Sequence, residues 1–203
     1  MLNPTRTPEY LLERARSGDR EAFGQLLSQY HNYLRLMARA LVGTTLKLRL
    51  DASDLVQEAC LEAHRDFAKF AGGTEAELLA WLRRILARNL ADSARYQNAE
   101  MRDHRRARSL ESMLERSSLA VQDALAATAT TASAVAAQRE RAVLLADALE
   151  DLPSDYRDVV ILRNLEGLKF SDVAARMGRS SGAVRMLWAR AIEKLSETLE
   201  GLE

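Results

Sequence analysis

The chain has 203 residues, of which 47% are hydrophobic, and its 29 basic residues balance its 29 acidic ones. The length suits one large or two small domains. Three prolines and nine glycines, among abundant Ala, Leu, Arg and Glu, favour an all-α fold. Zero net charge excludes a global basic field, so any affinity for nucleic acid must be local. We find no signal-peptide core and no apolar run of membrane-spanning length, and we expect a cytosolic protein.

Apolar residues at helical spacing predict three helices in the first third of the chain. The first opens at Pro8 and ends at Gly18, and the second follows over residues 19–42. The third is capped by Ser53 and extends to about Phe70. Its polar side carries Asp54, Gln57 and Glu58, and its only cysteine, Cys60, is expected to act as a small buried hydrophobe.

A fourth helix is predicted from a capping box, in which Thr74 and Glu77 satisfy each other's backbone amides. It continues past Arg95 and carries many arginines. Together the four helices predict a bundle that forms a first domain over residues 1–112. The residues of the fourth helix that are expected to face the core of this bundle are Leu78, Trp81, Leu82, Ile85 and Leu86.

Residues 113–139 are rich in Ala and Thr and have no large apolar stripe, so we interpret them as a linker. Helical signal returns near Arg139, breaks at Pro153 and resumes from Asp155 to Leu165. A second, smaller domain is therefore expected over residues 140–203, within an all-α architecture of two helical bundles joined by a flexible linker.

The second domain contains a predicted helix-turn-helix. One helix spans 171–177 with Ser171 as its N-cap, Gly178 ends it, and Ser180 or Ser181 caps a second helix that extends to about residue 199. The second helix of such a motif can enter the DNA major groove. A two-helix corner with a solvated arginine face is the alternative that this segment alone leaves open.

The second helix of the motif has two faces. Its apolar stripe must be buried, and it includes Trp188, which we assign to packing. Met186 lies off the stripe, where it could contact a thymine methyl or merely touch the DNA backbone. Arginines off the stripe can pair with phosphate or with a guanine edge. The stripe comprises Val184, Leu187, Trp188, Ala191, Ile192, Leu195 and Leu199.

Three segments, in this order, resemble a bacterial RNA polymerase sigma factor of the extracytoplasmic-function (ECF) type. Residues 51–59 are similar to the core-polymerase-binding helix, residues 80–92 to the promoter-melting helix, and residues 152–195 to the domain that binds the −35 element. The resemblance implies that Asp54, Gln57 and Glu58 dock on the clamp helices of the largest polymerase subunit. An exposed row of carboxylates and an amide suits a basic helical partner.

The resemblance also implies two sets of promoter contacts. In the first domain, the contacts with the −10 element are Gly72, Gly73, Arg83, Arg84, Arg88, Asn89 and Arg95. The arginines would attract phosphates and Asn89 would meet a base edge, while Gly72 and Gly73 let the backbone approach an unstacked base. The family often has Asn one residue earlier, where this chain has Arg88, so the base-reading residue is left open. In the second domain, the contacts with the −35 element are Arg179, Ser180, Ser181, Arg185, Met186 and Arg190.

The first hypothesis is therefore a sigma factor with no catalysis, metal or cofactor of its own. Its partners would be core RNA polymerase, promoter DNA and, by resemblance only, an anti-sigma factor. The histidines His31, His64 and His104 are widely separated and suggest no ligand set. A stand-alone helix-turn-helix regulator is the alternative, although it has no need of the two N-terminal motifs; a DNA recombinase is a weaker third hypothesis.

Overall fold

A computed structural model of the chain describes residues 7–44, 51–97 and 142–200, and every regular element in these ranges is helical. The all-α prediction is therefore confirmed. Within the described ranges, internal contacts divide the chain into two units, one containing residues 7–38 and 51–97 and the other containing residues 39–44 and 142–200. The linker predicted over 113–139, and its boundaries with the two predicted domains, lie outside the described residues.

Five α-helices are described in the N-terminal half, and a short 3₁₀ turn, Phe67–Lys69, follows the fourth. Leucines from four of these helices supply much of the buried surface, among them Leu11, Leu26, Leu34 and Leu82, each at most 2% exposed. The helices are α1 Pro8–Arg16, α2 Arg20–Gln29, α3 His31–Thr44, α4 Ala52–Asp66 and α5 Glu75–Gln97.

The single helix predicted over 19–42 is wrong, because the chain breaks at Tyr30 between α2 and α3. The backbone of Tyr30 turns to ψ 2°, and its N–H donates to Leu27 O at 3.2 Å. The Tyr30 ring is buried, and its hydroxyl donates to Glu75 Oε1 at 2.8 Å. The apolar stripe continues across this one-residue break, so its periodicity could not reveal the interruption.

The predicted limits of α4 also need correction. Asp51 is the N-cap, since its Oδ1 accepts from the N–H of Ser53 at 2.8 Å, and Ser53 lies inside the helix. The α-helix ends at Asp66, short of the predicted Phe70. Cys60 is half-buried, and this burial raises the pKa of its thiol.

The predicted capping box at the start of α5 is confirmed. The N–H of Glu77 donates to Thr74 Oγ1 at 3.3 Å, and Glu77 Oε2 accepts from the N–H of Gly73 at 2.9 Å and of Thr74 at 3.0 Å. One carboxylate therefore fixes both the helix start and the loop that precedes it.

The Glu77 carboxylate gives the first unit a predictable response to acid. Hydrogen bonds from the Gly73 N–H and from the hydroxyl and N–H of Thr74 hold the pKa of Glu77 below its ordinary value of 4.5. A carboxyl with a lowered folded-state pKa stabilises the fold above its unfolded-state pKa, and the contribution is lost as the pH falls through the folded-state pKa.

We therefore expect Glu77→Gln to be less stable than wild type at neutral pH, with the two converging as the pH falls below 4.5. Urea-unfolding midpoints across this pH range are the measurement. Glu13→Gln is the matched control, since Glu13 is an exposed carboxylate on α1 that forms none of the hydrogen bonds that fix this loop. A constant difference between wild type and Glu77→Gln at all pH values would contradict the prediction.

An aromatic cluster packs beside the loop between α4 and α5. The Phe70 ring lies 5.2 Å from the Trp81 ring and 5.8 Å from the Phe67 ring, between centroids. A Cβ at Gly72 would lie 2.6 Å from Phe70 Cε2 and 2.8 Å from Glu77 Cβ. The absence of a side chain at Gly72 thus makes room for a ring of this chain's own cluster.

Gly72→Ala should destabilise the first unit by about 1–3 kcal/mol, because the ring or the loop must shift to admit the methyl group. Gly73→Ala is the control, since a Cβ there would meet the flexible end of Arg16, with Nη1 at 3.0 Å. Thermal unfolding of the two variants and wild type tests this, and equal stability of Gly72→Ala and Gly73→Ala would refute it.

The C-terminal part of the chain contains four α-helices in residues 142–200. The helix predicted over 155–165 is present over nearly that range, but it is α-helical only as far as Val160. Ile161–Leu165 forms a π-helical turn, in which the Glu166 N–H donates to Ile161 O at 3.0 Å. The helices are α6 over residues 142–150, α7 Ser154–Val160, α8 Phe170–Met177 and α9 Ser181–Glu200.

Arg157 joins α6 to α7. Its Nε donates to Leu149 O at 3.0 Å, and its Nη2 donates to Glu150 O at 2.8 Å and Leu152 O at 3.1 Å. Leu149 and Glu150 are the last two residues of α6, whose carbonyls have no intrahelical donor, and Leu152 lies in the turn that follows. The side chain thereby fixes the corner at Leu152 and Pro153 that the sequence predicts.

The helix-turn-helix corner is present as α8, a short turn and α9. Gly178 ends α8 at φ 63°, ψ 34°, as predicted, in a conformation that only glycine adopts without strain. Ser180 caps α9, since its Oγ accepts from the Ala183 N–H at 3.2 Å. The prediction that Ser171 caps α8 is wrong: α8 begins at Phe170, and the Ser171 hydroxyl bonds to Asp172 Oδ1 at 3.3 Å.

Candidate functional site

The acidic face of α4 is presented to solvent as predicted. Asp54, Gln57 and Glu58 are all exposed, whereas Val56 and Ala59 on the other side are buried. Leu61 lies one turn beyond Gln57 and Glu58 on the same face and is 68% exposed. We call Asp54, Gln57, Glu58 and Leu61 the docking face. Leu61 adds an apolar side chain to this otherwise polar face.

The sequence interpretation missed Leu61. The signal was available, since spacing of three and four residues places Leu61 with Glu58 and Gln57 rather than with the buried stripe.

The arginines of α5 that were assigned to the −10 element have different surroundings. Arg84 and Arg88 are exposed, and Arg88 pairs with Glu62 on α4. Arg83 is half-buried and donates from Nη1 to the Tyr33 hydroxyl at 2.9 Å. The side chain of Arg95 lies outside the described residues. Arg84 and Arg88 are therefore the α5 guanidiniums, among those described, that are exposed to a ligand.

Asn89 points into the core, which is at odds with its predicted role as a base reader. The residue is 6% exposed, and no described group bonds to its buried Nδ2 atom. It follows Ile85 and Leu86 by four and three residues, so it belongs to their buried stripe. The preceding residue, Arg88, is exposed.

The two glycines before α5 differ in their exposure to solvent. Gly73 is exposed, whereas Gly72 is half-buried beneath the Phe70 ring. Gly73 thus offers exposed backbone beside the Arg-bearing helix, while the freedom at Gly72 is used for packing within the chain.

The predicted reading face of the helix-turn-helix lies on the surface. Arg179, Ser180, Arg185, Met186 and Arg190 are exposed, and Ser181 is half-buried. The stripe opposite is turned inward: Val184, Ala191 and Leu195 are buried, and Leu187, Trp188, Ile192 and Leu199 are half-buried. The division of α9 into a packed face and a polar face is thus confirmed.

Arg179 is not isolated on this face. Its guanidinium forms an ion pair with Asp155 in the first turn of α7, and both side chains are partly exposed. Such an exposed pair is weak in water, so a DNA phosphate could compete for the guanidinium.

An aromatic stack supports Arg185. The Phe170 ring lies under the Arg163 guanidinium at 5.0 Å and under the Arg185 guanidinium at 5.7 Å, and it meets the Trp188 ring edge-on at 5.8 Å. Trp188 Nε1 donates to Asn164 Oδ1 at 2.9 Å. The half-buried Trp188 is therefore a packing residue, as predicted, and it fixes the ring on which Arg185 rests.

An ion pair connects the turn before α8 to α8 itself. Arg176 pairs with Glu166, whose side chain is only 5% exposed. Burial raises the pKa of the Glu166 carboxyl, and the Arg176 guanidinium opposes that rise. This pair joins the π-helical turn to α8 and so steadies the corner behind the reading face.

Within the described ranges, no three His, Cys, Asp or Glu side chains come together as metal ligands. No helix of residues 7–44, 51–97 or 142–200 is long and apolar enough to cross a membrane.

The sequence model of the ECF sigma factor family matches residues 8–201, which is nearly the whole chain. The chain belongs to the ECF sigma factor family. This sigma factor is 31% identical over 196 residues to the ECF RNA polymerase sigma-E factor of Haemophilus influenzae, covering 97% of each chain. It is also 31% identical over 194 residues to the ECF RNA polymerase sigma factor SigM of Mycobacterium tuberculosis, covering 96% of this chain and 85% of that one.

Among solved structures, the sigma factor is similar to CnrH in complex with the cytosolic domain of CnrY. The identity is 24% and the TM-score 0.37, with 96% of this chain and 97% of CnrH covered. Family membership rests on the sequence matches and not on this similarity.

Proposed function

We propose that this sigma factor binds core RNA polymerase through the docking face of α4 and directs initiation at promoters with a −10 and a −35 element. The family match over residues 8–201 carries the proposal, because it spans both groups of exposed residues described above. The chain acts as a specificity subunit without catalysis of its own, and it works in the cytoplasm, where the polymerase and the chromosome are.

The docking face suits a basic helical surface with an apolar spot. Asp54 and Glu58 supply exposed carboxylates, Gln57 supplies an amide, and Leu61 supplies an apolar anchor one turn away. Carboxylates on this face would steer association with the polymerase and select the partner, while burial of Leu61 would slow dissociation. We assign the clamp helices of the largest polymerase subunit as the partner that binds the docking face.

At the −10 element, Arg84 and Arg88 attract the phosphates of the melted strand, and the exposed backbone of Gly73 approaches an unstacked base. The Glu62 carboxylate competes for Arg88 and holds its guanidinium beside α4. Asn89 has no part in this contact, because it is buried.

At the −35 element, α9 enters the major groove. Arg185 and Arg190 bond to bases or phosphates, and Arg179 and Ser180 contact the backbone at the start of the helix. The Phe170 ring limits the conformations of Arg185 and so lowers the entropy lost when Arg185 binds. Membership of the family also supports an anti-sigma factor as a further partner.

Co-elution with core RNA polymerase tests this function against a stand-alone regulator. We expect the purified chain to co-elute with core polymerase in size-exclusion chromatography and to bind promoter duplex tightly only in that complex. Failure to co-elute, together with tight binding of the chain alone to duplex DNA, would overturn the proposal in favour of the regulator.

A further inference from the structure

Met186 stands out on a face made of polar and small residues. Leu61 and Met186 are the large hydrophobic side chains that are exposed among the described residues, and Met186 is 59% exposed. Arg185 and Arg190, which flank it on α9, are also exposed. The packing of the second unit does not require an apolar side chain here, since Val184, Ala191 and Leu195 already form the buried face of this helix.

The neighbours of Met186 leave its thioether free to project. One turn before it are Gly182 and Ala183, and one turn after it is Ala189, all three exposed and with at most one side-chain carbon. The long exposed side chains beside it are those of Arg185 and Arg190, and both are charged. Met186 is therefore the most prominent apolar group on the helix that enters the groove.

The chemistry of the side chain restricts what it can read. A thioether has no hydrogen to donate, so it cannot bind a phosphate or the acceptor atoms of guanine. The apolar group on a base edge in the major groove is the C5-methyl of thymine. The unbranched, polarisable Met side chain can adjust to such a methyl group while the flanking arginines hold the helix on the phosphates.

We propose that Met186 is a specificity-determining residue that selects a thymine in the −35 element by packing on its 5-methyl group. The inference rests on the proposed function, because it needs α9 in the major groove of promoter DNA. It adds to that function a base identity, thymine, that the arginines of the same face do not select.

Deoxyuridine gives a direct test, because it differs from thymidine only in lacking the methyl group. A promoter is first obtained by run-off transcription of a genomic fragment library with holoenzyme reconstituted from core polymerase and the full chain. Each thymine of its −35 element is then replaced singly by deoxyuridine, and holoenzyme affinity is measured by fluorescence anisotropy. Wild type, Met186→Ala and Met186→Leu are compared.

One replacement should weaken wild-type binding about fourfold, the effect of burying one methyl group. The same replacement should have no effect on Met186→Ala and should still weaken Met186→Leu, which keeps an apolar contact. The inference is overturned if no single replacement affects wild type, or if Met186→Ala responds as wild type does, as it would if Met186 touched only the sugar–phosphate backbone. A holoenzyme that selects no promoter would overturn the proposed function itself, which distinguishes the two failures.

Discussion

Reversing two charges on the docking face, Asp54→Lys together with Glu58→Lys, should weaken binding to core RNA polymerase by about 100-fold or more. Both carboxylates are exposed on one face of α4, so their replacement leaves the fold intact while it sets like charges against a basic partner.

Leu61→Ala should weaken binding by about tenfold, the effect of losing most of a buried leucine side chain. Surface-immobilised core polymerase and a dilution series of each variant provide the affinities.

The matched control for the double reversal is Glu13→Lys with Glu21→Lys, which makes the same change in net charge on α1 and α2. Both control residues are exposed and lie off the docking face. We expect near-wild-type affinity from this control. If the control loses as much affinity as the docking-face variant, overall charge and not the docking face governs association, and the assignment of α4 is wrong.

Arg185→Ala should reduce the affinity of the holoenzyme for its promoter by about tenfold to 100-fold, since a bidentate arginine contact with a base contributes about 1–3 kcal/mol. Arg185 is exposed on the reading face and rests on the Phe170 ring, so it reaches the DNA in a limited set of conformations. Affinity on the wild-type promoter and on single-base variants of its −35 element would be measured at a fixed salt concentration.

Lys194→Ala is the control for charge, because Lys194 is exposed on α9 but lies about half a turn around the helix from Arg185. It should change promoter affinity little. An Arg185→Ala variant that binds all −35 sequences with uniformly reduced affinity would assign Arg185 to phosphate contact. One that binds like wild type would remove Arg185 from the proposed interface.

Much of this fold follows from the sequence because local chemistry and global packing agree. The capping box of Thr74 and Glu77 and the left-handed Gly178 are decided within a few residues, and the structure has both as predicted. The apolar stripe of α9 has the helical period throughout, so the sequence pattern predicts both its packed face and its polar face.

The features that the sequence did not predict correctly depend on contacts or on helix register that local patterns do not contain. The break at Tyr30 joins a local turn to a hydrogen bond with Glu75, 45 residues away, and a periodic pattern does not contain that contact. The Asn89 amide has the chemistry to bond to a base edge, but the register of Ile85 and Leu86 places it in the core. Leu61 is apolar and yet faces solvent, so its residue type alone does not predict its exposure.

Run-off transcription with core RNA polymerase on a genomic fragment library tests the central claim most directly. We expect discrete transcripts that appear only when the chain is added, that start downstream of a shared pair of −10 and −35 elements, and that are lost with Asp54→Lys and Glu58→Lys. Transcripts that are unchanged by adding the chain, or that are unaffected by that double reversal, would contradict the account.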